Sequence, residues 1–354
     1  MIVVFGATGY TGRLVTAALV ERGARPTLAG RHADALGTLS RHHGGLPTAV
    51  ADVTDPASVQ ALVRAGDVLV TTVGPFSLHG RAALDAAVDA GAHYVDSTGE
   101  AGFIRHVVLD GGPRAEASGS ALLTGFGYDY VPGHIAGQLA LDAAGPQARQ
   151  LRIVYSGLGV AISTGTRASA ALMIADRVHR REASQIVERP TGRDVVDGAI
   201  LTGGTEPLTA GRQWPRVSDV SVWLELGRTA RIAQVASFVA PTLMRLSWLR
   251  DRAVRGATRG GPSAEERSRS TTSVTAVASD ADRREIGRAT VTGPNPYDLT
   301  AITMAEGALA LAAGPPRAGA LGPLELFAHL PLPPTMARLS LSVGQSITAT
   351  YPWT

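Results

Sequence analysis

Apolar and polar residues follow two different rhythms along the chain, and the change falls near residue 130. Up to that point short apolar runs alternate with stretches of helical periodicity. Ile2–Phe5 is an apolar run that ends in a glycine turn, after which Leu14, Val15, Ala18 and Leu19 recur on one helical face. Pro26–Ala29 predicts a second strand, followed by a helix over 33–42, and Thr48–Ala51 a third. Asp55 reads as an N-cap, with Pro56 at the first position of a helix carrying Val59, Leu62 and Val63. Val68–Val73 has the pattern of a buried strand and leads through Gly74-Pro75 to a helix around 82–90; His93–Ser97 and Ser120–Thr124 complete six strands. Strands alternating with helices at this spacing predict a doubly wound parallel sheet.

Beyond Pro132 the alternation stops. Arg152–Tyr155 is strand-like, and 164–181 reads as a helix capped by Ser163 or Thr164. Residues 219–226, 271–278 and parts of 285–292 alternate at period two, the pattern of an α+β domain whose sheet is partly exposed. The expected fold class is α/β, with the N-terminal parallel domain over 1–130 and an α+β substrate or dimerisation domain over 131–296. A late helix over 297–313 begins with Asp298 as an N-cap candidate, and the proline-rich 330–354 is expected to be an extended arm. Gly256–Arg269, rich in Gly, Arg and Ser, reads as a surface loop or lid. The mostly apolar 232–249 reads first as a helix buried in a core or dimer interface, and otherwise as a cleft wall or a helix lying on a membrane.

The first turn carries chemistry. Gly6-Ala7-Thr8-Gly9-Tyr10-Thr11-Gly12 sits between a strand and a helix, where backbone amides at a helix N-terminus can approach a pyrophosphate and a Cβ would stand in the way. This is the dinucleotide fingerprint of a Rossmann domain. Nineteen residues past Gly12 the second strand ends in Gly30-Arg31-His32, and Arg25–His32 holds no carboxylate to accept from a ribose 2′-hydroxyl. Arg31 suits a 2′-phosphate instead, with Arg13 assisting, so the cofactor expected is NADP(H). Asp52 falls where adenine contacts are made, or caps its own turn. Thr72, Val73, Gly74 and Pro75 follow the fourth strand, at the edge where open sheets place ligands, and Gly99 and Glu100 follow the fifth.

Composition narrows the chemistry. The chain has no Cys and no Lys, so its 33 basic residues are all arginines; thiolate nucleophiles, Schiff bases, a Walker-A lysine and any lysine general base are excluded. The net charge is +3, but the arginines are dispersed and point to no nucleic acid. The nine histidines show no metal-type spacing, and no metal is expected. With no run of eighteen charge-free apolar residues and a strand starting at Met1, the expectation is a cytoplasmic protein without an integral membrane segment.

Taken in order, Gly6–Gly12, Val73–Phe76, Tyr94–Glu100, Gly127–Gly133, Gly165–Ser169 and Gly293–Asp298 resemble the saccharopine dehydrogenase-like oxidoreductases over roughly residues 1–325, in the branch that includes trans-acting enoyl reductases. The resemblance implies a Rossmann domain, a substrate domain on a mixed β-sheet, and a late helix returning to the first domain. It fixes the cofactor better than the reaction, because members act on diverse substrates.

Candidates for proton transfer are His79, after the Gly-Pro turn, and Tyr128 and Tyr130, with Asp129 between them more often a turn former. Arg167 would clamp a carboxylate or phosphopantetheine-type anion. The leading expectation is an NADPH-dependent reductase of a C=C (enoyl), C=N or C=O bond on an apolar, small or carrier-bound biosynthetic intermediate, compatible with a homodimer. The alternatives are a cyclase or isomerase retaining NADP as structure, and a non-catalytic NADP(H) sensor.

Overall fold

The computed structural model describes residues 1–156, 169, 173, 176–243 and 260–344. The chain divides into two compact units. The first comprises Met1–Thr98, Phe103–Tyr128 and Pro296–His329, and the second Gly99–Gly102 with the described parts of Asp129–Asn295 and Leu330–Thr354.

In the first unit, strands β1 (Ile2–Phe5), β2 (Thr27–Gly30), β3 (Thr48–Val50), β4 (Val68–Thr71), β5 (His93–Asp96) and β6 (Ala121–Leu123) alternate with helices α1 (Tyr10–Glu21), α2 (Ala33–His42), α3 (Pro56–Gln60) and α4 (Phe76–Ala90). All pairings are parallel, in the order β6-β5-β4-β1-β2-β3. The chain winds outward from β1 to β3, then crosses back to β4 on the other side of β1. This is the doubly wound sheet that the strand–helix rhythm predicts. A seventh strand, Gly319–Ala320, adds to β6 from late in the chain, too short to carry a periodic signal. Val3, Phe5, Leu69, Tyr94 and Leu122 form the sheet's contribution to the core, packed with Leu84 and Ala87 of α4. The helix Pro296–Ala312 packs on α1, where Arg22 Nε pairs with Glu306 at 2.6 Å and Tyr10 meets Tyr297 edge to face.

The second unit holds a mixed sheet. β7 (Gln150–Ser156) is its axis, parallel to β12 (Asp219–Glu225) on one side and antiparallel to β13 (Thr272–Ser279) on the other. β10 (Val195–Val196) and β11 (Ala199–Thr202) extend it past β12, and β14 (Glu285–Gly293) and β16 (Ser342–Val343) past β13. The helix Val131–Ala144 covers β13 and β14. Gly287 permits the approach, since a Cβ there would stand 2.7 Å from that of Ala144.

Three expectations need correction. The helix expected over 164–181 does not reach its end: Arg177–Glu182 is strand β8, which forms a hairpin with β9 (Gln185–Pro190). The turn is Ala183-Ser184, both at positive φ (46° and 67°), a two-residue hairpin made without the Asn-Gly or Gly signature that would have announced it. Within the expected lid, Ala264–Ser268 is a short helix held by a reciprocal capping box between Ser263 and Glu266. The C-terminal segment is not an extended arm throughout. Leu332–Arg338 is helical, its prolines placed in the first turn where their missing N–H groups are not needed, and Met336 and Leu339 are buried. Among the described residues no helix is long and apolar enough to cross a membrane.

Candidate functional site

The C-terminal ends of β1 and β4 meet at the crossover of the first unit's sheet. Gly6 has φ +85°, open to glycine and strained for other residues, and a Cβ there would lie 2.8 Å from Thr72 Oγ1 and 3.0 Å from Val73 Cγ2. Its amide and that of Ala7 both donate to Ala29 O, at 2.9 and 3.1 Å, which ties the turn to β2. Gly9 is the N-cap of α1 and supplies no side-chain cap; the first turn of the helix carries no acidic residue. A Cβ at Gly12 would overlap the Gly6 carbonyl oxygen and stand 2.9 Å from Ala7 Cα, so this glycine lets α1 begin directly against the turn. The result is a helix N-terminus whose first amides have no partner within the helix, at the positive end of its dipole and at the sheet's topological switch point. That is a cradle for an anion, and the residues present fit a pyrophosphate.

Around this loop the first unit gathers most of the other predicted cofactor residues. Thr72 Oγ1 lies 3.3 Å from Gly6 O, and Val73, Gly74 and Pro75 continue from it into α4. Arg13 Nε donates to Thr8 O at 3.0 Å, bracing the loop from the helix side. Arg31 and His32 are exposed at the end of β2, and the Arg31 guanidinium makes no hydrogen bond among the described residues. Asp52 Oδ1 accepts from both the amide and the hydroxyl of Thr54, at 2.9 and 2.8 Å. Those bonds hold its carboxyl below the usual range, and the charges of Arg31 and His79 act in the same direction. Thus Asp52 caps its own turn, and His79 lies in the first turn of α4.

Asp96 is a residue that sequence reasoning passed over. It is fully buried in the Tyr94–Glu100 motif, with Oδ1 accepting from the amides of Thr98 and Gly125 and Oδ2 from the Thr124 hydroxyl, all at 2.8–2.9 Å. Burial raises its pKa to about 6 in spite of these bonds. It pins the turn after β6 to the end of β5. Tyr128, also buried in the first unit, donates its amide to Thr300 Oγ1 at 3.0 Å.

The second unit contains a buried cluster of its own. Tyr130 donates its hydroxyl to Gly99 O at 3.1 Å, and Glu100, almost fully buried, accepts from the Ser169 hydroxyl at 2.8 Å. Glu206 opens the helix Glu206–Gln213 and is fully buried; its Oε1 accepts from Tyr155 Oη at 2.9 Å, while Oε2 has no partner. Burial pushes its pKa up to about 8, with the charge of Asp129 adding to the effect, and burial pushes Asp129 up to about 6. His134, also fully buried, links Gln213 and Thr205 through its two ring nitrogens at 2.7 and 2.9 Å. Neither Glu206 nor Tyr155 stood out in the sequence. Arg167 lies outside the described residues. No group of three His, Cys, Asp or Glu side chains that could hold a metal occurs among the described residues.

Residues 2–123 match the family described as the saccharopine dehydrogenase NADP binding domain. They belong to it. The resemblance drawn from the ordered motifs therefore stands, and the first unit carries an NADP(H)-binding domain. The chain is 35% identical over 137 residues to a trans-acting enoyl reductase from Mycobacterium leprae, covering 37% of this chain and 33% of that protein. It is 32% identical over 166 residues to one from Mycobacterium ulcerans, covering 44% of this chain and 40% of that protein. The similarity thus spans well under half the length of these relatives. A solved structure of saccharopine dehydrogenase (L-Glu forming) from Saccharomyces cerevisiae superposes with a TM-score of 0.56 at 11% identity, over 98% of this chain and 99% of that one, a likeness of fold.

Proposed function

We propose that this chain is an NADPH-dependent reductase that saturates a polarised C=C bond of an apolar acyl intermediate held as a thioester on a carrier. The observation that supports this reading most is the meeting of Gly6 and Thr72 at the β1–β4 crossover, an anion cradle in a saccharopine dehydrogenase NADP binding domain. The names of the mycobacterial relatives support the enoyl acceptor.

When bound, the cofactor supplies a hydride, which goes to the β-carbon of the enoyl group while a proton goes to the α-carbon. The residues of this chain bind and orient. The N-terminal turn of α1, at the end of the 6–12 loop, would hold the pyrophosphate. Arg31 would take the 2′-phosphate, with His32 and Asp52 around the adenosine end, and His79 keeps its assignment to proton transfer beside Tyr128. Thr72–Pro75 line the edge of β4. Tyr128, buried in the unit that carries the cofactor loop, is assigned to proton delivery, while Tyr130 donates a hydrogen bond to Gly99 O. Gly99 and Glu100 are assigned to holding the second unit's structure, through Tyr130 and Ser169.

The test is NADPH oxidation by the purified chain against trans-2-enoyl thioesters of increasing chain length, with imine and ketone acceptors beside them. Turnover of the enoyl thioesters, favouring longer chains, is expected. Tight NADPH binding without oxidation by any acceptor would overturn the reading.

A further inference from the structure

The helix Ala230–Leu243 is built inside out. Its small residues face inward: Ala230 and Ser237 are buried, and a Cβ at Gly192 would lie 3.6 Å from Ser237 Cβ and 3.8 Å from Ala233 O. Gln234 Nε2 donates to Arg193 O at 2.7 Å and fixes the helix to the segment before β10. Its large apolar residues point the other way. Ile232, Val235, Phe238 and Val239 are between 51% and 70% exposed, and their spacing of three and four places them on one stripe. Surface helices ordinarily bury such a stripe and expose their small or polar face.

The stripe is bordered by positive charge. Arg228 and Arg231 are exposed at the start of the helix, and the Arg193 guanidinium lies 4.8 Å from the centre of the Phe238 ring. The helix itself contains no Asp or Glu.

We propose that this helix face is a peripheral docking surface for an anionic lipid bilayer. A bilayer supplies both things the face asks for, an apolar interior for the stripe and phosphate groups for its arginine border. A second copy of the chain suits it less well. In a two-fold interface the same patch faces itself, which would bring Arg193, Arg228 and Arg231 to both sides with no carboxylate on the helix to pair them. A stripe along one helix is convex, so a protein partner would have to bring the groove. The inference stands apart from the reductase reading, and no helix that spans a membrane is required.

The experiment is co-sedimentation of the full chain with vesicles of phosphatidylcholine alone and with about a quarter phosphatidylglycerol. Sedimentation with the anionic vesicles is expected, weakened by raising salt to about 0.5 M. It should be at least ~10-fold weaker for the double variant Ile232→Gln/Phe238→Gln and for Arg228→Glu/Arg231→Glu. Far-UV circular dichroism and thermal melting matching the parent show that both variants are folded, and NADPH binding, which uses the other unit, should be unchanged. No binding to either vesicle, or equal binding by parent and stripe variant, overturns the proposal. So does light scattering in which the stripe variant converts a dimer to a monomer, or binding to an acidic carrier protein without binding to vesicles.

Discussion

The Tyr155 hydroxyl stands between the Gly133 amide and the Glu206 carboxylate, accepting from the first at 3.1 Å and donating to the second at 2.9 Å. Two glycines make the room. A Cβ at Gly133 would overlap both Tyr155 Oη and Glu206 Oε1, and one at Gly204 would overlap Glu206 Oε2. The carboxyl is therefore enclosed, with one oxygen bonded and the other unpartnered.

Enclosure makes stability depend on pH. In the folded chain Glu206 holds its proton up to about pH 8, whereas in the unfolded chain it releases it near the ordinary value of 4.5. Between those values the folded state binds the extra proton, so stability falls as pH rises, by about 1.4 kcal/mol per unit at most. Asp129, raised to about 6, adds a slope of the same sign at the lower end. Urea unfolding of the parent and Glu206→Gln at about pH 6 and pH 8 checks this. The variant should lose most of the pH slope and be the more stable of the two at the higher pH. An identical slope in both would show that Glu206 is ionised in the folded chain.

Gly12→Ala should damage the cofactor loop. The added methyl meets backbone, the Gly6 carbonyl and Ala7 Cα, which cannot swing aside like a side chain. A loss of about 1–3 kcal/mol in stability is expected, with NADPH affinity lowered at least ~10-fold as the first turn of α1 shifts. Thermal melting and fluorescence titration with NADPH measure the two effects. Unchanged affinity would mean that the loop does not carry the phosphate.

The two tyrosines separate by role. Tyr130→Phe removes a buried bond to Gly99 O and should cost about 1 kcal/mol of stability with little change in kcat. Tyr128→Phe should lower kcat on enoyl thioesters by about 10²-fold or more while leaving NADPH affinity unchanged. Equal kcat for Tyr128→Phe and parent would remove Tyr128 from proton delivery.

What could be read from the sequence was local. The strand–turn–helix at Gly6–Gly12, the absence of a carboxylate beside Arg31, and the order of six strands all follow from neighbouring residues, and each has its counterpart in the first unit. The Glu206 site was not legible, because its enclosure is made by Gly133, Tyr155 and Gly204, which no local pattern connects. A glutamate at the start of a helix is ordinarily a solvated first-turn acid. The outward stripe of the helix Ala230–Leu243 shows the limit most simply. Periodicity identifies an apolar face but not which way it points.

The most direct test of the central claim is the binding of NADPH and NADH to the parent chain and to Arg31→Asp. Arg31 is exposed at the end of β2 with its guanidinium unbonded among the described residues, which leaves it available for a 2′-phosphate. NADPH should bind the parent at least ~10-fold more tightly than NADH, and Arg31→Asp should erase or invert that preference, as expected for loss of a charged hydrogen bond. Equal affinities for the two cofactors in the parent, or an unchanged NADPH preference in the variant, would contradict the assignment.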